Sequence, residues 1–87
     1  MILKPLGYEK VTGLNSAKGL TVPSGAQRAL LISTAQNVRW RDDGTNPAAD
    51  TGIRLPKDTL SWYEGDLSAI KFIEESASAI LNVSYYA

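Results

Sequence analysis

Cysteine and histidine are both absent from the 87-residue chain. These two absences exclude more chemistry than any motif in the chain supplies. Without cysteine there is no disulfide framework, thiol nucleophile, iron–sulfur cluster or thiolate zinc site. Without histidine there is no Ser–His pair, no imidazole metal ligand and no side chain with an ordinary pKa near 6.5. Oxygen-only sites for calcium or magnesium survive. Long apolar runs are missing as well. The longest, Ala29 to Ile32, is four residues, against about 20 for a membrane-spanning helix. The opening Met1-Ile2-Leu3-Lys4-Pro5-Leu6 lacks the apolar stretch of about 7–15 residues that a signal peptide needs. Nor does one sign of charge dominate: nine basic and nine acidic side chains give a net charge of zero, so the basic footprint of a nucleic-acid binder is lacking. The expectation is a soluble chain made in the cytoplasm, with no nucleic-acid or membrane partner and no cofactor.

The length allows one domain, residues 1–87, and 44% apolar residues against 21% charged permit a real core. A chain this short buries only about 60–65% of its unfolded surface, so burial between copies is a natural source of further stability. Glycine and proline leave few uninterrupted stretches longer than a dozen residues, a spacing that suits short strands joined by turns. Residues 43–52, with their Asp-Gly and Asn-Pro steps, form the clearest loop. Alternation supports strands at Val38–Arg41, at Leu60–Tyr63 and over Ala79–Tyr86, where Ala79, Leu81, Val83 and Tyr85 share one face. Arg28–Ser33 does not alternate and reads as a strand covered on both faces. Tyr8–Thr12, Leu20–Val22 and Ile53–Leu55 are weaker strand candidates. Residues 66–75 fit two patterns. Asp66 can cap a helix carrying Leu67, Ile70 and Ile73 on one stripe, or Ile70 and Phe72 can alternate in a strand, which is preferred because it joins its neighbours in a sheet. The fold class expected is all-β, a small antiparallel β-sandwich or jelly-roll-like barrel. Residues 1–6 suit either an N-terminal arm reaching another subunit or a frayed end.

Trp40 and Trp62 fall on the apolar faces of their strands and are expected in the core. Tyr63 and Tyr86 fall on the opposite faces and are candidates for surface contact. Arg39 and Arg41 project from one strand face, where they can meet acidic groups of the same sheet or of a partner. Six of the nine acidic residues, Asp42, Asp43, Asp50, Asp58, Glu64 and Asp66, lie between positions 42 and 66. If the loops holding Asp42, Asp43, Asp50 and Asp66 converged they could offer oxygen ligands to calcium, but the spacing is not that of an EF-hand, and turn initiation is the simpler reading. Glu64 and Asp66 flank Gly65 as a turn does, and a domain this small rarely encloses the cleft a glycosidase dyad needs. Gly13 to Gly19 lacks the order of a phosphate loop and reads as a turn. No catalytic, cofactor or metal site is expected. The partner-contact candidates are Arg39, Arg41, Asp42, Asp43, Tyr63 and Tyr86.

A likeness over residues 27–87, with none of it in the first 26, adds to this. Ala35-Gln36-Asn37-Val38-Arg39-Trp40-Arg41-Asp42-Asp43-Gly44-Thr45-Asn46-Pro47 is followed by Gly52-Ile53-Arg54-Leu55, Tyr63-Glu64-Gly65-Asp66-Leu67, Ile70-Lys71-Phe72-Ile73 and Leu81-Asn82-Val83-Ser84-Tyr85-Tyr86. Over residues 27–87 this pattern resembles small structural proteins of tailed-bacteriophage virions. The resemblance implies a non-enzymatic, β-rich virion component, either a capsid decoration (cement) protein or a head, neck or tail accessory. Its partners would be further copies of itself and other virion proteins. A carbohydrate- or host-surface-binding module on a phage appendage is the alternative, favoured by an exposed tryptophan beside a shallow groove.

Overall fold

Period-two patterning organises the computed structural model, which describes residues 2–87. Seven strands form with no helix among the described residues: β1 Pro5–Val11, β2 Arg28–Thr34, β3 Val38–Arg41, β4 Ile53–Leu55, β5 Ser61–Tyr63, β6 Lys71–Glu74 and β7 Ile80–Tyr86. They make a four-stranded sheet in the order β1-β7-β2-β5 and a three-stranded sheet in the order β4-β3-β6, all neighbours antiparallel. This is the small all-β sandwich expected. Its core is one cluster in which Ala29, Leu31, Leu81, Val83 and Tyr85 of the larger sheet join Val38, Leu55 and Phe72 of the smaller. Leu14, Leu67 and Ile70 enter it from the loops. Each such aliphatic side chain contributes on the order of 1.5–3 kcal/mol by leaving water.

The chain crosses between sheets at Ala35, held at φ 72°, directly after β2. Residues 66–75 use both of their patterns in succession. Asp66 caps a single turn, its carboxylate accepting from the Ser68 amide (3.0 Å) and its carbonyl from the Ala69 amide (3.0 Å). Pairing with β3, Trp40 opposite Phe72, then draws Lys71–Glu74 into a strand before a second turn can form. Of the weaker candidates, Tyr8–Val11 falls within β1 and Ile53–Leu55 is β4. Leu20–Val22 is not a strand. Leu20 and Val22 pack partly buried against the core, and the Thr21 amide is taken by the Glu9 carboxylate (3.0 Å) instead of by a strand carbonyl.

Two expectations are corrected. β2 is covered on one face only: Ala29, Leu31 and Ser33 point into the sandwich, while Leu30 and Ile32 lie half-buried on the outer face of the larger sheet. The smaller sheet covers only the inner side. The second correction concerns β5, where Trp62 is 48% exposed and Tyr63 only 9%, the reverse of what was expected. Pairing with β2 sets the parity, because Tyr63 lies opposite inward-facing Ala29 and Trp62 opposite outward-facing Leu30. In the segment expected as an arm, Pro5 and Leu6 belong to β1 and Lys4 exchanges two backbone hydrogen bonds with Ala87 (3.2 and 3.0 Å). Ile2 projects, 95% exposed. Met1 lies outside the described residues.

Candidate functional site

The outer face of the four-stranded sheet departs from the usual alternation of an antiparallel sheet, in which the solvent side is polar. Register places its side chains in rows across the strands. One row runs Tyr8, Ser84, Leu30, Trp62, and the next holds Lys10, Asn82 and Ile32. A third holds Tyr86 and Arg28. Tyr86 lies against Trp62, ring centroids 5.4 Å apart. The polar tips among these apolar groups are largely satisfied within the face. The Tyr8 hydroxyl donates to Asn82 Oδ1 (2.5 Å), and Ser84 Oγ donates to the Tyr86 hydroxyl (3.3 Å). Arg28 and Lys10 are exceptions: Arg28 Nε is buried without a hydrogen-bond partner, its guanidinium only approaching Glu64 at 3.9 Å, and Lys10 is an exposed cation on the edge strand β1.

A second feature lies where the β3–β4 hairpin opens. A groove of about 420 Å³ is lined by Trp40, Arg41, Asp42, Asp43, Thr51, Gly52 and Ile53. Trp40 and Ile53 are register partners on the inner face of the smaller sheet, yet Ile53 is 58% exposed because the larger sheet does not reach over it. A side chain at Gly52 would be crowded, since a Cβ would stand 3.0 Å from the Trp40 carbonyl, and strained at its φ of 141°.

Of the six partner-contact candidates, four gather at this end. Arg41 and Asp43 form an ion pair that holds the Asp43 carboxyl below the ordinary range and raises the Arg41 guanidinium. Asp42 accepts a hydrogen bond from the Tyr63 hydroxyl (2.6 Å), and Tyr63 meets the Trp40 ring edge-on at 5.6 Å. Burial first, and then the Asp42 carboxylate, push the Tyr63 phenol up to about 12. Arg39 is elsewhere, on the outer face of the smaller sheet, donating from Nε to Glu75 Oε2 (2.7 Å), which also accepts from Arg54 Nε (2.8 Å). Tyr86 sits alone of the six on the outer face of the larger sheet. The other carboxylates do not converge. Among the described residues no three are grouped so as to hold a metal ion, and Asp66 is taken up by Ser68, whose hydroxyl and amide lower its pKa.

Tyr8, Leu30, Ile32 and Trp62, the apolar members of the outer face, were not among the candidates. Their signal in the sequence is the unbroken run Ala29-Leu30-Leu31-Ile32. The face and the groove both offer apolar surface edged by fixed hydrogen bonds, an arrangement suited to binding. No family model, no curated protein and no solved structure matches the chain.

Proposed function

We propose that the chain is a non-enzymatic structural protein of a tailed-phage virion, a capsid decoration protein or another assembly-stabilising accessory, acting through contacts with copies of itself and with other virion proteins. One observation carries the binding part of this reading. Leu30 and Ile32 form, with Tyr8, Trp62 and Tyr86, an apolar outer sheet face that the chain leaves open. A strand patterned for cover on two sides and covered on one calls for the second cover from another chain. The phage assignment rests on the sequence resemblance over residues 27–87.

The test is the copy number per particle, read from a stained gel of purified virions. Hundreds of copies fit capsid decoration, and about six or twelve fit a ring at the neck or tail. Absence from the particle refutes the reading. The Trp40 groove favours a second reading, a carbohydrate- or host-surface-binding module, since an aromatic ring flanked by Arg41, Asp42 and Asp43 can stack on a sugar and bond its hydroxyls. Soluble glycans that quench tryptophan emission in the native protein, but not in Trp40→Phe, would support it. Quenching unchanged by Trp40→Phe would count against this groove.

A further inference from the structure

We propose that two copies of this chain pack the outer faces of their four-stranded sheets together, about a two-fold axis parallel to the strands and midway between β7 and β2. The proposal rests on that face being a contact surface and names its occupant, a second copy.

The register itself is self-complementary. The strand order β1-β7-β2-β5 has its centre between β7 and β2. A two-fold axis there, along the strands, lays β7 over β2 of the second copy and β1 over its β5. Each row keeps its height and is read in reverse. In the central row, Tyr8 then lies over Trp62 and Ser84 over Leu30, so aromatic meets aromatic and the bulkiest aliphatic group meets the smallest side chain. In the next row Asn82 lies over Ile32, and in the third Tyr86 lies over Arg28. That last contact gives the Arg28 guanidinium, whose Nε lacks a hydrogen-bond partner, the π face of a tyrosine. The alternative axis, in the sheet plane but across the strands, stacks β1 on β1 and β5 on β5. It sets Tyr8 over Tyr8 and Arg28 over Ile32, and provides no such pairing of large with small.

Desolvation is cheap at the Tyr8 and Tyr86 hydroxyls, which already have partners within the face, while the charged Lys10 lies on the edge strand β1. Aligned packing of two sheets tolerates their twist at about 30° and a spacing of about 10 Å. Four strands at about 4.8 Å and a β7 of seven residues at about 3.3 Å give a planar footprint of roughly 400 Å² per copy. This is about half the roughly 800 Å² per partner of a standard specific interface, so the dimer is expected to be weak in free solution and to strengthen where copies are held close together.

The lack of native cysteine makes the test clean. Tyr8→Cys and Trp62→Cys are made as two separate proteins, each keeping the other aromatic, and treated with a short bis-maleimide matched to the ~10 Å gap between sheets. Mixed, they are expected to give a covalent dimer. Alone, neither does, because the two copies of one position are offset laterally by about 14 Å, three strand spacings. Self-cross-linking of either variant alone, with no gain on mixing, overturns the arrangement in favour of the axis across the strands. If no mixture cross-links and light scattering gives the monomer mass for the native protein at millimolar concentration, self-association through this face is overturned. The proposed function would survive that result if the native protein is found in virions and Trp62→Ala is not, since the face would then serve another virion protein. Absence of the native protein from virions overturns the proposed function without bearing on the dimer.

Discussion

Tyr63 joins the two sheets through one phenol. It extends from β5, meets Trp40 of β3 edge-on, donates its hydroxyl to Asp42 and passes over Gly65 so closely that a Cβ there would overlap the ring. Two consequences follow at this scale. The first concerns alkali. With the folded pKa raised from 10.0 to about 12, the protonated phenol is favoured by folding, so this contribution is complete below pH 10 and is lost as pH rises through 12. Denaturant unfolding of Tyr63→Phe should therefore lose less stability between pH 10 and 12 than the native protein does. Tyr85, whose phenol is also raised by burial and by Glu9, adds to the alkaline slope of both proteins, so the difference between them is the measurement. At neutral pH the variant should be weaker by about 1 kcal/mol, the net value of a hydrogen bond. The second concerns space. Gly65→Ala should cost about 1–3 kcal/mol by overpacking, and less in the Tyr63→Phe background, where one overlapping atom is gone. Equal costs in both backgrounds would show that the Tyr63 hydroxyl is not what limits position 65.

Glu75, just past β6, does at the scale of elements what Tyr63 does at one contact. Its amide donates to the Asn37 carbonyl (3.0 Å), and its carboxylate accepts from Asn37, from Arg39 of β3 and from Arg54 of β4, so one residue ties all three strands of the smaller sheet. The Arg54 bond first, then those from Asn37 and Arg39, hold the carboxyl below its ordinary 4.5. A depressed folded pKa contributes stability that is present above 4.5 and lost as pH falls through the folded value. Glu75→Gln should thus destabilise the protein at pH 7, by no more than about 1 kcal/mol, and the gap between the two proteins should narrow as the pH falls below 4.5. A gap that does not narrow at all on acidification below 4.5 would mean that the carboxylate charge is not the source. Elements of this kind were only partly legible in the sequence. β3 and β7 follow from alternation, because a sandwich strand must bury every second residue, whereas β4 is only a weaker candidate. The same alternation in β5 shows that Leu60 and Trp62 share a face but not which face turns inward, which β2 decides through pairing distant in sequence. Glu75 had no signal of its own, since its three partners come together only when the smaller sheet forms.

At the scale of the molecule, adjacent residues of β2 serve two different ends, and mutation should separate them. Leu31 is 1% exposed in the core, and Leu30, the next residue back, is half-buried on the outer face. Leu31→Ala should cost about 2–5 kcal/mol through the cavity it leaves. That is a large share of the roughly 5–15 kcal/mol that holds a small domain folded. Leu30→Thr replaces leucine with a β-branched residue suited to a strand and removes apolar area only from the open face, so it should cost less than about 1 kcal/mol. Its effect should fall on association instead: sedimentation at rising concentration should show native protein growing in mass while Leu30→Thr stays at the monomer. Urea unfolding at low concentration, where only the monomer is present, then separates the two roles. If Leu30→Thr proves as destabilising there as Leu31→Ala, Leu30 is part of this chain's own core and the outer face is not an open surface. If its stability is retained and its association lost, the sandwich folds on its inner face and is completed on its outer one by another chain. The apolar run that broke the alternation of β2 is then accounted for by a contact the monomer cannot make alone.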